Sequence, residues 1–342
     1  MLVVPQHSVE RARFPVVDIH THYTRNPRSS HGVPLGEELV WTTAPADLLR
    51  MMEKRNLRTL VSLTGGTRSG LREAIATFQR PHPDRFVIFT EPSYDRIAQP
   101  DFAAWQADEI TRAKAAGAKG LKILKVLGLF LREQVDHGAL VKVDDPRFDP
   151  LWETCGALGL PVAMHVSDPT AFFLPIDRYN ERYEELSRHP DWSFHGQDYP
   201  TNAEILAARD RVLARHPKTT FIGLHVAHSS EDLAAASAAL DRFPNLHVEI
   251  AARIGELGRQ PRASQRFFDK YQDRILFGTD GPSDALYPIY FRCLETEDEY
   301  FDYSPGPIPS QGRYRIYGLG LSDQILQKVY HANAERLLGL TP

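Results

Sequence analysis

Short apolar runs rich in β-branched residues recur along the chain, and the stretches between them carry apolar positions at helical spacing. The runs are 16–22, 59–63, 86–89, 120–124, 161–165, 219–225, 247–250 and 275–278. Each is shorter than a buried helix and lacks polar alternation, which predicts strands covered on both faces. Helical spacing marks 44–55, 71–80, 101–116, 151–158, 204–215, 231–242, 261–271 and 323–338, and Gly117 supplies a C-terminal stop for the third of these. Strands alternating with helices argue for parallel βαβ units, and eight such units match a (β/α)8 barrel better than an open sheet. The expected organisation is one domain over 1–342 with insertions after strand five (167–200) and strand eight (281–317), and a polar, Pro- and Gly-bearing loop at 23–43.

Several runs end in a histidine or an aspartate. In the first, Val16-Val17-Asp18-Ile19-His20-Thr21-His22, the two histidines stand at i and i+2. On a strand they share one face with Cα atoms about 6 to 7 Å apart, a spacing at which two imidazoles converge on one divalent ion. Two histidines in a loop by accident is the competing reading. His165 closes strand five, His225 closes strand six and Asp280 follows strand eight. The C-terminal strand ends of a barrel form its mouth, where catalytic groups sit. Pattern and candidate ligands therefore agree on one place.

Composition narrows the partners. The formal net charge of −4, with both signs interspersed, offers no basic stripe for nucleic acid. No apolar run of about 18 residues exists to span a membrane, and residues 1–13 lack a leader's apolar core. Cys155 and Cys293 have no metal-type spacing, which fits a reducing compartment, so a cytoplasmic location is expected with a trimmed leader left open.

With these residues in view, the chain resembles the amidohydrolase superfamily, in the branch that includes aminocarboxymuconate-semialdehyde decarboxylase and related decarboxylases and hydrolases. The resemblance runs from Asp18-Ile19-His20-Thr21-His22 through 161–165, Phe221-Ile222-Gly223-Leu224-His225 and Leu276-Phe277-Gly278-Thr279-Asp280 to the closing Asn333-Ala334-Glu335-Arg336-Leu337-Leu338-Gly339-Leu340. It implies one divalent ion on His20, His22, His165 and Asp280, with His225 beside the metal-bound water as acid/base group; the nitrogen and oxygen donors put zinc first and manganese second. Here Val226-Ala227-His228 follows His225, so His228 is a rival for that role. Three nitrogens and a carboxylate leave a position for water, whose pKa a divalent ion lowers towards roughly 7, and Asp280 is placed to accept its proton.

Lys122 lies on strand four, where some members of the superfamily bridge two metals with a carboxylated lysine; Lys125 competes for that place. The reading preferred for Lys122 is a lysine that orients a substrate carboxylate or snorkels to solvent. Arg253, just beyond strand seven, is either a bidentate carboxylate clamp or a surface ion pair. The aromatics of 167–200 either roof the pocket or pack the insertion's own core, and the tyrosines of 284–317 form a further wall or a contact between copies of the chain. The partners expected are thus a small molecule, a carboxylate if Arg253 is a clamp, and a homo-oligomer if the tyrosines form a contact.

Three functions compete. A metal-dependent hydrolase of a small organic substrate comes first, a non-oxidative decarboxylase of an aromatic or unsaturated acid second. A metabolite-binding barrel with a structural metal comes last, because strand ends in a barrel open onto a pocket.

Overall fold

Eight parallel strands close on themselves in the computed structural model, which describes residues 3–5, 7–30, 33–196, 198–306 and 308–341. Three residues of the stretch read for a leader (Met1, Leu2, Gln6), two of the loop after the first strand (His31, Gly32), one in each insertion (Gln197, Pro307) and Pro342 lie outside the described residues. The strands are β1 (Val16–Thr21), β2 (Leu57–Ser62), β3 (Phe86–Ile88), β4 (Leu121–Ile123), β5 (Val162–Met164), β6 (Phe221–Gly223), β7 (Leu246–Glu249) and β8 (Ile275–Leu276). Ladders join β1-β2-β3 and β4-β5-β6-β7-β8. Parallel bridges from Thr90 to Leu121 and from Thr21 to Gly281 then complete the ring. The expected (β/α)8 barrel is the architecture found.

Strands four, five, six and eight are shorter than their apolar runs, because the chain leaves the ladder as it reaches the mouth. Phe102–Ala116 ends where expected: Gly117 takes φ 118°, and its N–H meets the carbonyls of Ala113 and Lys114. The helix expected at 71–80 starts earlier, at Arg68–Ala74, and widens to i→i+5 hydrogen bonding over Ile75–Gln79; Lys328–Ala332 interrupts the last helix in the same way. The loop at 23–43 forms two short antiparallel ribbons. No helix among the described residues is long and apolar enough to cross a membrane.

Two apolar clusters share the burial. The larger packs strands against helices. The smaller takes Val17 and Ile19 from β1, Val61 and Leu63 from β2 and its end, Val87 and Phe89 from β3 and its end, Ala163, Ile222 and Leu276, with Ala334 and Leu338 of the last helix against it. β4 and β7 add no apolar residue to it. In register with Ala163, β4 carries Lys122, and in register with Leu276, β7 carries Glu249, both fully buried. Two charged side chains thus sit within a barrel core that is otherwise apolar, which is costly unless they serve each other or a bound group.

The seam between β1 and β8 is tied by Asp18. Its carboxylate accepts from the N–H of His20 at 3.0 Å, the N–H and hydroxyl of Thr279 at 3.2 and 2.6 Å, and the hydroxyl of Tyr287 at 2.8 Å. Burial pushes the Asp18 carboxyl up to about 6, against the pull of these donors, so it is ionised at neutral pH. Tyr287 and Tyr290 are fully buried in the helix Tyr287–Glu295, so these two tyrosines are structural and form no contact between copies. Asp18→Ala should leave four buried donors without an acceptor and lower the unfolding free energy by about 3–5 kcal/mol, read from urea denaturation. A loss under about 1 kcal/mol would show that the seam does not depend on this carboxylate.

Candidate metal and catalytic site

At the mouth, His20 Nε2, His22 Nε2 and Asp280 Oδ1 form a triangle with sides of 3.1, 3.1 and 3.0 Å. The i, i+2 spacing brings the two imidazoles together as read, although the ladder shifts register between Asp18 and Thr21. Asp280 reaches them because it turns off β8 at φ 64°, with its N–H on the carbonyl of His20 at 2.9 Å. Gly278 is required just before this turn: a Cβ there would lie 2.5 Å from Glu249 Oε2 and 3.0 Å from the Cβ of His20.

Glu249 sets the tautomer of His20. Its Oε1 accepts from His20 Nδ1 at 3.0 Å, which leaves the lone pair of Nε2 aimed at the Asp280 carboxylate and at His22. Lone-pair atoms about 3 Å apart repel unless a proton or a cation lies among them, and ligand atoms about 2.0–2.2 Å from one divalent ion keep similar separations. Burial and Lys122 push the His20 pKa down, yet Asp280 and Glu249 raise it overall, so the place favours positive charge. The donor set fits a divalent ion.

His165 is held differently. Its ligand atoms stand outside the group of His20, His22 and Asp280 whose atoms all lie within 4.8 Å of one another. Its Nε2 is buried with no hydrogen-bond partner among the described residues, and Asp168 Oδ1 lies 3.5 Å from it. It joins the others by ring packing on His225, centroid to centroid 4.5 Å, and His225 in turn lies 5.0 Å from His20.

The chain from His225 to His228 runs through four successive left-handed residues, with φ of 56°, 58°, 51° and 63°. Such residues cost roughly 1–2 kcal/mol each. The tight turn explains Gly223, where a Cβ would stand 2.7 Å from that of Ala227. It delivers the His225 ring with Nδ1 donating to the carbonyl of Ala251 at 2.8 Å, while its backbone N–H donates to Glu249 Oε1 at 2.6 Å. His228, the rival for the acid/base role, is buried. The same turn folds it inward, its ring stacks on His165 at 5.5 Å, and its Nε2 accepts from the N–H of Val166 at 3.1 Å.

For Lys122 one of the two expected readings falls away. It does not snorkel; its ammonium is fully buried with no hydrogen bond among the described residues, and burial brings its pKa down to about 8 against the pull of Asp280, Glu249 and Glu91. Lys125 points away from it, pairing with Asp168 Oδ2 at 2.5 Å. Arg253 is no surface ion pair. It is 5 % exposed, its guanidinium donates to the carbonyl of Ala252 at 2.8 Å, and among the described residues no carboxylate lies within ion-pair distance. Glu249, Asp168 and Glu91 escaped the sequence reading. For Glu249 a signal existed, an acid inside the apolar strand His247-Val248-Glu249-Ile250; the other two stand in loops.

The sequence signature of the amidohydrolase family matches residues 17–340. None of the curated proteins searched matches. Among solved structures, 2,6-dihydroxybenzoate decarboxylase from Rhizobium superposes with a TM-score of 0.59 at 16% identity over 96% of this chain and 99% of that one. A dihydroxybenzoic acid decarboxylase from Polaromonas sp. JS666, with bound manganese and the inhibitor 2-nitroresorcinol, gives 0.55 at 16% over 88% and 87%. A probable 2-pyrone-4,6-dicarboxylic acid hydrolase from Acinetobacter baumannii with citric acid gives 0.54 at 12% over 95% and 100%.

Burial pushes the Glu91 carboxyl up to about 7, opposed by the N–H of Gly66 and by Lys122. The folded protein therefore holds a proton that the unfolded chain, titrating near 4.3, has released, and stability falls as pH rises between these values. Glu91→Gln keeps the acceptor and never ionises. Its stability relative to the parent should rise by on the order of 3 kcal/mol between pH 4 and pH 8, measured by urea unfolding; an equal difference at both pH values would contradict the assignment.

Proposed function

The chain belongs to the amidohydrolase family, and from that footing we propose that it is a metal-dependent carboxy-lyase that removes CO2 from an aromatic or unsaturated carboxylic acid. The observation that carries the reading is Arg253, a buried guanidinium without a carboxylate partner whose charge bears on both His225 and Asp168. A desolvated cation of this kind is a ready seat for a substrate carboxylate. The decarboxylases of dihydroxybenzoates among the similar folds, one holding manganese, support the same choice.

We assign His20, His22, His165 and Asp280 as the residues that hold the ion, zinc or manganese. Bound there, the ion supplies a Lewis acid that neutralises developing charge on substrate oxygen. Arg253, with Lys122 as the second buried cation, orients the carboxylate. His225 carries the proton. With Nδ1–H fixed on Ala251 and no protein partner on Nε2, it takes a proton at Nε2 and delivers it to the carbon bearing the carboxylate. The C–C bond then breaks, its electron pair stays with the ring or alkene, and CO2 departs.

Hydrolysis is the second reading. Asp280 keeps 36 % of its side-chain surface open, where it can accept a proton from an attacking water. Incubation with carboxyl-13C aromatic acids, 2,6-dihydroxybenzoate among them, beside a panel of esters, lactones and amides decides between the two. Labelled CO2 is expected, and turnover confined to the esters, lactones or amides would overturn the lyase reading.

For the residue roles, His22→Ala should lose the metal by elemental analysis. His225→Ala should keep it while turnover falls about 100-fold or more, as general acid/base catalysis is worth roughly 10² to 10⁴. His228→Ala should keep both the metal and more activity than His225→Ala. Metal loss in His225→Ala would make His225 a ligand instead.

A further inference from the structure

A cavity of about 1140 Å³ opens between the loop after β4 and the insertion after β5. Its walls include Leu129, Phe130, Trp192, Phe194 and Tyr199, with Lys125 at its inner edge. The aromatics form one surface: Phe130 lies 6.0 Å from Phe194 and 6.2 Å from Tyr199, and Phe194 5.1 Å from Tyr199. Trp192, 38 % exposed, stands on its rim. Lys125 sits 5.8 Å from the Trp192 ring and 5.9 Å from the Phe194 ring, and its ammonium is neutralised by Asp168. Asp168 is also the residue whose other oxygen lies 3.5 Å from His165. The Lys125–Asp168 pair therefore links the cavity wall to His165.

Size and charge limit the occupant. A cavity of roughly 150 Å³ accommodates one benzene ring, so a single-ring acid seated at the histidines leaves this space unused. Asp136, Asp191 and Asp198 line it against Arg132, whose guanidinium donates to the carbonyl of Gly138 at 2.8 Å, and the paired Lys125. Carboxylates outnumber cations, so a second anionic group is disfavoured there while stacking surface is plentiful.

We propose that this cavity is a specificity subsite for an uncharged aromatic extension of the substrate, so that the acid processed carries a second ring or a comparably large apolar arm. The inference rests on the reading that the substrate's carboxylate lies at Arg253. Probes without a carboxylate test the subsite alone. By equilibrium dialysis, biphenyl-4-methanol should bind the full chain about tenfold or more tightly than benzyl alcohol, since burial of one ring is worth more than the 1.4 kcal/mol that equals tenfold. Trp192→Ala with Phe130→Ala should abolish the difference, and Trp192→Phe should retain most of it. Should the double variant not fold, the single Trp192→Ala, at the exposed rim, is expected to lose a large part of the difference. Undiminished binding of biphenyl-4-methanol to these alanine variants overturns the subsite. Failure of the carboxylate reading looks different: biphenyl-4-carboxylate and the alcohol would then bind alike, with Arg253→Ala changing neither, while both still respond to Trp192→Ala.

Discussion

The Glu249 carboxylate is the constraint on which the site depends, because one fully buried group holds two histidines from different strands. Its Oε1 accepts from the His20 ring and from the backbone of His225, and its Oε2 from the N–H of Ala251. The first bond fixes which nitrogen of His20 faces the mouth. The other two fix the turn that presents His225 and the carbonyl against which the His225 ring rests. A carboxyl group buried inside a barrel is expensive to desolvate, and these donors offset that cost.

Around this carboxylate the barrel accepts local strain. Four left-handed residues in succession after β6, a left-handed Asp280 after β8, and glycines at 223 and 278 where no Cβ fits all lie at the mouth. The ladders below them are regular in β4 to β7 and tie the strain to a rigid base. That division follows from the fold: strand interiors are covered on both faces and admit a polar side chain only where partners hold it, whereas strand ends are free to take unusual backbone shapes when neighbouring elements hold them there.

The barrel was legible because each strand is buried on both faces and so reads as an uninterrupted apolar run. His20, His22 and Asp280 were legible for the same reason, since a polar residue ending such a run stands out, and the structure brings their ligand atoms together. His165 and His225 were found as strand ends, but their relation to each other, ring on ring, depends on the left-handed turn, which no side-chain pattern announces. That turn also buries His228. The sequence leaves the snorkelling reading of Lys122 open because an apolar strand with one lysine looks the same whether the ammonium reaches solvent or is enclosed; the closed barrel removes that reading alone. The sequence weighs clamp and surface pair equally for Arg253, and its burial, with no ion pair among the described residues, removes the second choice. Glu91, Asp168 and the aromatic cavity rest on loops that pack against each other from distant parts of the chain, which single-sequence patterns do not encode.

One divalent ion is expected where β1, β5 and β8 end, on the side of His20 that faces Asp280. A second set of donors, His20, His225 and Glu249, lies on the other side of the same imidazole. An anomalous difference map from crystals of the manganese- or zinc-loaded protein, recorded at the metal's absorption edge, separates them directly. One peak bounded by His20 Nε2, His22 Nε2, His165 and Asp280 is the result predicted. A peak on Glu249 and His225, or none at these histidines in metal-loaded protein, would contradict the account.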